Sequence, residues 1–121
     1  MSSLGPVNGI LIYTRRLEPM LHFYRDVLEL TPRHVKERTV NFEWGDFKLT
    51  IGLHDQVLGP NTDPLRHMVN FHVDDIHATF ATLQAAGVPF TREPSQEPWG
   101  GWVATFSDPD GNTLQLLQPK G

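Results

Sequence analysis

The chain repeats itself, and that repeat constrains its fold more than any other feature. Ile10 to Thr14 reads as a strand and leads into a helical pattern over 17–28. Leu17, Met20, Leu21, Tyr24 and Leu28 fall at helical spacing and form one apolar stripe. Pro19 fits only the first turn, where its missing N–H has no intrahelical partner to lose. The same strand returns 59 residues after Ile10, as Val69 to Val73. That offset also carries the first helix onto a second one over 76–86. Asp74 and Asp75 are suitable caps for its start, Ile76, Phe80 and Leu83 share one face, and Gly87 is a left-handed C-cap candidate. Pro89 blocks any continuation.

Strand-like pieces joined by turns follow each helix. In the first half they span about 33–36, 38–44 and 47–53, with Gly45-Asp46 turning between the last two. In the second half they span 90–93, 102–107 and 113–118, and Asp108-Pro-Asp-Gly-Asn112 carries the final turn. The pattern is βαβββ, then a linker rich in Gly, Pro, Asn and Asp, then βαβββ. It predicts an α+β fold, with module 1 over about 7–54, the linker over about 55–65 and module 2 over about 66–118.

A chain of 121 residues is enough for one compact domain. No long apolar run is present, which argues against a membrane partner. With no cysteine, disulfides, thiolate metal sites and cysteine nucleophiles are excluded together. The N-terminus lacks the basic and apolar regions of a signal peptide, so a cytoplasmic protein is expected. The formal net charge is −4 and no basic block stands out, which argues against a nucleic-acid partner. Neither a Gly-x-Ser-x-Gly elbow nor a phosphate-cradling Gly-x-x-x-x-Gly-Lys loop occurs. The expected partner is a small molecule.

Ordered short motifs then carry a resemblance. They are Leu17-Glu with Phe23-Tyr-Arg-Asp-Val-Leu28, Phe71-His-Val-Asp-Asp-Ile76, Leu83-Gln-Ala-Ala-Gly-Val88, Pro98-Trp-Gly-Gly101 and Phe106-Ser-Asp-Pro-Asp-Gly-Asn112. In this order the chain resembles the vicinal oxygen chelate superfamily, the glyoxalase/bleomycin resistance/dioxygenase group, from about Val7 to Gln118. The resemblance implies two βαβββ modules whose curved mixed sheets enclose a cavity. It also implies a homodimer, which adds apolar burial to a small domain.

Metal-dependent relatives draw His and carboxylate ligands from the first and last strands of each module, which suits zinc, iron, manganese or nickel. Carried over by position, those ligand sites fall on Gly9, on Thr50 or Leu49, on Met68 and on Gln115. Gly offers no donor, Met a soft thioether and Gln a neutral amide, so no metal and no cofactor are expected. His67 stands one residue from the fifth-strand position, and only a β-bulge would turn it inward.

Strand alternation puts Gly9, Leu11 and Tyr13, then Met68, Asn70 and His72, then Thr113, Gln115 and Leu117 on the cavity side. Trp44, Trp99 and Trp102 would act as aromatic walls or as packing. The ligand-binding set expected from the sequence is Leu11, Tyr13, Trp44, Met68, Asn70, His72, Trp102 and Gln115. Phenol, amides, imidazole and apolar groups together suit a flat organic ligand. His72 and Tyr13 are the candidate catalytic residues, His72 as general base or ligand donor, with a solvated histidine beside Asp74-Asp75 as the plainer reading. The leading expectation is a metal-free protein that sequesters an aromatic drug or metabolite. The alternative is a glyoxalase-like lyase or dioxygenase with displaced ligands or a metal-free mechanism.

Overall fold

A computed structural model of the chain describes residues 3–121, which divide into two compact units, the first ending at Gly59 and the second beginning at Pro60. In the first unit, β1 (Gly9–Thr14) precedes α1 (Leu17–Leu21), which continues as a π-helical turn over His22–Val27. β2 (His34–Val35), β3 (Thr39–Trp44) and β4 (Phe47–Leu53) follow. The sheet order is β1-β4-β3-β2, with β1 and β4 parallel and the other neighbours antiparallel. The second unit repeats this path. It runs β5 (Met68–His72), α2 (Ile76–Ala85), β6 (Phe90–Gln96), β7 (Trp102–Ser107) and β8 (Thr113–Gln118), in the sheet order β5-β8-β7-β6. Each unit is βαβββ and each sheet is mixed, so the α+β architecture read from the repeat is the observed one.

Alternation marks the core side of the first sheet, whereas β7 of the second is buried on both sides from Val103 to Phe106. In the first unit Ile12, Val40, Phe42, Leu49 and Ile51 are buried, as are Met20, Phe23 and Tyr24 of the helical segment. The Tyr24 and Phe42 rings lie 6.3 Å apart. In the second unit Ala104, Phe106, Leu114 and Leu116 are buried, as are Ile76 and Leu83 of α2, and the Phe90 ring bridges Phe80 and Phe106. Each large buried side chain contributes about 1.5–3 kcal/mol of transfer free energy.

Several boundaries differ from those expected. The first helix is α-helical only to Leu21; beyond it Leu28 N–H donates to the Phe23 carbonyl, a five-residue step. The wider turn brings Phe23 and Tyr24 inside together, and Phe23 lies off the predicted stripe. The strand expected over 33–36 is the two-residue β2, and β6 runs on to Gln96 with register shifts against β7. Turn chemistry follows the sequence: Gly45, Gly87 and Gly111 have φ of 58°, 91° and 81°. The buried Asp108 knots the final turn. Its Oδ1 accepts from the Asp110 and Asn112 backbone N–H groups at 3.0 and 2.9 Å, and its Oδ2 accepts from Asn112 Nδ2 at 2.9 Å. Among the described residues, no helix is long and apolar enough to cross a membrane.

Candidate functional site

Each sheet has a second face, opposite its core. In the first unit the register aligns Gly9, Leu11 and Tyr13 of β1 with Lys48, Thr50 and Gly52 of β4. Glu43, Asn41 and Thr39 of β3 continue the rows. In the second unit Met68, Asn70 and His72 align with Thr113, Gln115 and Leu117 of β8, and then with Ser107, Thr105 and Val103 of β7; this face is open along β5, while Thr113, Thr105 and Val103 are buried. Leu11, Tyr13 and Met68 remain 59%, 43% and 42% exposed, a high share of open apolar surface for strand residues.

Six residues of the expected ligand-binding set, Leu11, Tyr13, Met68, Asn70, His72 and Gln115, stand in these open-face rows. The two tryptophans do not. Trp102 shares its parity with the buried Ala104 and Phe106 and packs edge-on against His77 of α2 at 5.0 Å. Trp44 shares its parity with the buried Val40 and Phe42. Parity thus puts both on the helix side of their strands, although Trp44 stays 47% exposed and Val103 and Thr105, of the other parity on β7, are buried as well. Trp99 lies against Gly101 so closely that a Cβ there would stand 2.0 Å from its ring, which makes the Trp99–Gly101 contact a packing device.

The open faces offer a mixed set of polar groups. Gln115 Nε2 donates to Thr105 Oγ1 at 3.2 Å, which fixes the amide. His72 Nε2 lies 3.0 Å from Asp74 Oδ1, so this imidazole has an orienting carboxylate, although both side chains are exposed. The Tyr13 ring meets His54 edge-on at 5.0 Å. The sequence reasoning passed over Asn41. Its side-chain oxygen is buried without a hydrogen-bond partner among the described residues, beside Thr50 in the open-face row. The period-two pattern of β3, with Val40 and Phe42 inside, was the signal that would have found it.

The same register tests the metal expected in relatives. Thr50 stands on the open face and Leu49 is buried on the core side, so the fourth-strand position is Thr50. The first unit then offers a hydroxyl, with no donor from Gly9, and the second a thioether and an amide. A Cβ at Gly9 would also stand 2.9 Å from the Lys48 carbonyl oxygen, so any side chain there must displace backbone. β5 pairs with β8 in continuous register from Met68 to His72, with no bulge to turn His67 inward. Among the described residues no group of three or more His, Asp or Glu is placed to hold a metal ion. Neither pair of positions fits a hard divalent cation.

Comparison with known proteins agrees with the fold. The chain is similar to the uncharacterized protein YetH of Bacillus subtilis, 27% identical over 91 residues, which is 75% of this chain and 65% of that protein. It is also similar to a probable lactoylglutathione lyase of Vibrio cholerae, 47% identical over 49 residues, 40% of this chain and 36% of that one. The matched stretches thus span less than two thirds of either relative. A crystal structure of a glyoxalase/bleomycin resistance protein/dioxygenase from Nocardioides superposes with a TM-score of 0.81 at 19% identity, covering 99% of this chain and 87% of that one. Residues 7–116 match the Glyoxalase/Bleomycin resistance protein/Dioxygenase superfamily as a whole, and the chain is a member of that superfamily.

Proposed function

We propose that this protein binds a small organic molecule with a flat ring and holds it without metal-dependent turnover. The donor mismatch at Gly9 and Thr50 in the first unit, and at Met68 and Gln115 in the second, carries this reading, above all Gly9, where a ligating side chain has no room. In the first unit the exposed Leu11 and Tyr13 supply apolar contact and the unpaired Asn41 oxygen a polar group; in the second Met68 supplies apolar contact and Asn70, His72 and Gln115 supply polar groups. Such a protein protects by sequestration, which needs affinity and no chemistry. Pairing of two copies into a homodimer would cover apolar surface of this kind, and light scattering at micromolar concentration checks it.

The test joins metal analysis with a binding screen. Protein purified without chelator is expected to carry far less than one equivalent of zinc, iron, manganese or nickel. Its melting temperature is expected to rise with the concentration of a stacked-ring compound that is recovered unchanged. One equivalent of metal, together with turnover that a chelator abolishes, would overturn the reading.

The name of the Vibrio cholerae relative and the His72–Asp74 contact favour a second reading, a lyase in which His72 or Tyr13 moves the proton. Formation of lactoylglutathione that survives chelator and disappears in His72→Gln would replace the first reading with this one.

A further inference from the structure

Where β1 and β4 end, the first unit opens a cleft of about 350 Å³ lined by Arg15, Arg38, Leu53, His54 and Asp55. Its chemistry is rich in donors and poor in acceptors. Arg38 Nη2 donates to Asp55 Oδ1 at 3.1 Å, and Arg15 has no ion-pair partner among the described residues. Two arginines and one aspartate line the cleft, a local positive excess on a chain whose formal net charge is −4. The long-range field repels anions, so only this local excess can draw one in.

The lining is held in place. His54 N–H donates to the Thr14 carbonyl at 3.3 Å, and Leu53 N–H donates to the Arg38 carbonyl at 2.9 Å. His54 Nδ1 accepts the Gln56 backbone N–H at 3.1 Å, so the neutral ring carries its hydrogen on Nε2, as a donor. The Tyr13 ring, edge-on at 74°, braces the imidazole plane. The one competing acceptor, Asp55, has a side chain that is 93% exposed, so water can take it up once Arg38 is released.

We propose that this cleft is an oxyanion site that receives the carboxylate or phosphoryl group of a small molecule. Arg15 and Arg38 supply charge-assisted hydrogen bonds, His54 supplies a neutral donor, and Asp55 yields Arg38 to the ligand. Capture of the anion stands by itself. That the same molecule lays a ring on Tyr13 rests on the function proposed above. The open setting screens each contact, so affinity for a bare anion is about millimolar.

Nuclear magnetic resonance of the full chain tests this, following the arginine Nε–H groups, the His54 ring and the Gln56 amide. The probes are inorganic phosphate, acetate and benzoate, with chloride at matched ionic strength as the reference. Saturable shifts confined to these groups are expected with phosphate or acetate and not with chloride. Whichever of the two binds more tightly identifies the oxyanion. Arg15→Gln and Arg38→Gln should each weaken binding about fivefold, and Asp55→Asn should tighten it a few-fold. All three residues are exposed, so these variants keep the fold. Shifts that chloride reproduces, or binding indifferent to all three substitutions, would overturn the proposal. Benzoate binding more tightly than acetate, with the advantage lost in Tyr13→Ala, supports the link to an aromatic ligand. Equal affinity for benzoate and acetate leaves the oxyanion site standing and removes that link.

Discussion

The second unit stops its helix with Gly87, whereas the first stops with Glu29. In the second, Asp75 Oδ1 caps the start by accepting from the Ala78 N–H at 3.1 Å, and Gly87 takes φ of 91° while Val88 N–H closes onto the Leu83 carbonyl at 3.0 Å. In the first, no side chain caps the start at Arg16, the last turns widen to a π-helix, and Glu29 is forced to φ of 60° as Leu30 N–H reaches the Tyr24 carbonyl at 3.1 Å. An L-residue in that region costs about 1–2 kcal/mol. The comparison teaches that one chain path can be secured by local signals in one copy and by side-chain packing in the other. The copy that departs from local rules also holds the unpaired Asn41 oxygen and the arginine-lined cleft.

The contrast breaks first at the core. Tyr24→Ala and Phe106→Ala should each cost about 3–5 kcal/mol in urea unfolding, since both rings are buried at 0% exposure. A loss below about 1 kcal/mol for Tyr24→Ala would show that packing does not secure the first helix. Next comes the turn of the second unit. Asp108→Ala removes the acceptor of three hydrogen bonds and should cost about 2–3 kcal/mol by the same measurement. The two helix ends should then respond with opposite signs. Asp75→Ala should lower stability by about 1 kcal/mol, while Glu29→Gly should raise it by about the same amount. A destabilising Glu29→Gly would mean that the Glu29 side chain contributes more than its backbone strain.

The smallest effect concerns pH. The hydrogen bond from Arg25 holds the Asp26 carboxyl below its usual range, and His22 Nδ1 at 3.1 Å adds to it. A carboxyl depressed in the folded state contributes stability above its unfolded pKa of 3.8 and loses it as pH falls through the lower folded value. Asp26→Asn should therefore melt slightly below the parent near neutrality and merge with it in strong acid. These groups are exposed, so a difference that persists in strong acid would trace to packing in the π-helical turn.

Much of the fold was legible because the repeat and the two strand periods are written in side-chain order. Ile12, Val40, Ile51 and Leu114 announce the buried faces, and Gly45, Gly87 and Gly111 announce the turns. The π-helical turn was not legible, since Phe23 and Tyr24 are adjacent and a regular helix buries only one of them well. The facing of Trp44 and Trp102 was not legible, since each stands at the end of its strand and Val103 to Phe106 are apolar or small on both parities. The cleft is harder still. Arg15, Arg38 and His54 lie on three separate segments, and only the parallel pairing of β1 with β4 brings the first and last together.

Gly9 has one more consequence, for anyone wishing to place a cation centre at the end of β1. Swapping in imidazoles and carboxylates would begin at the wrong place, because β1 and β4 lie too near each other at Lys48 for the first of them to enter. The spacing between those strands would have to be widened before donor identity mattered, so building such a centre here starts in the main chain.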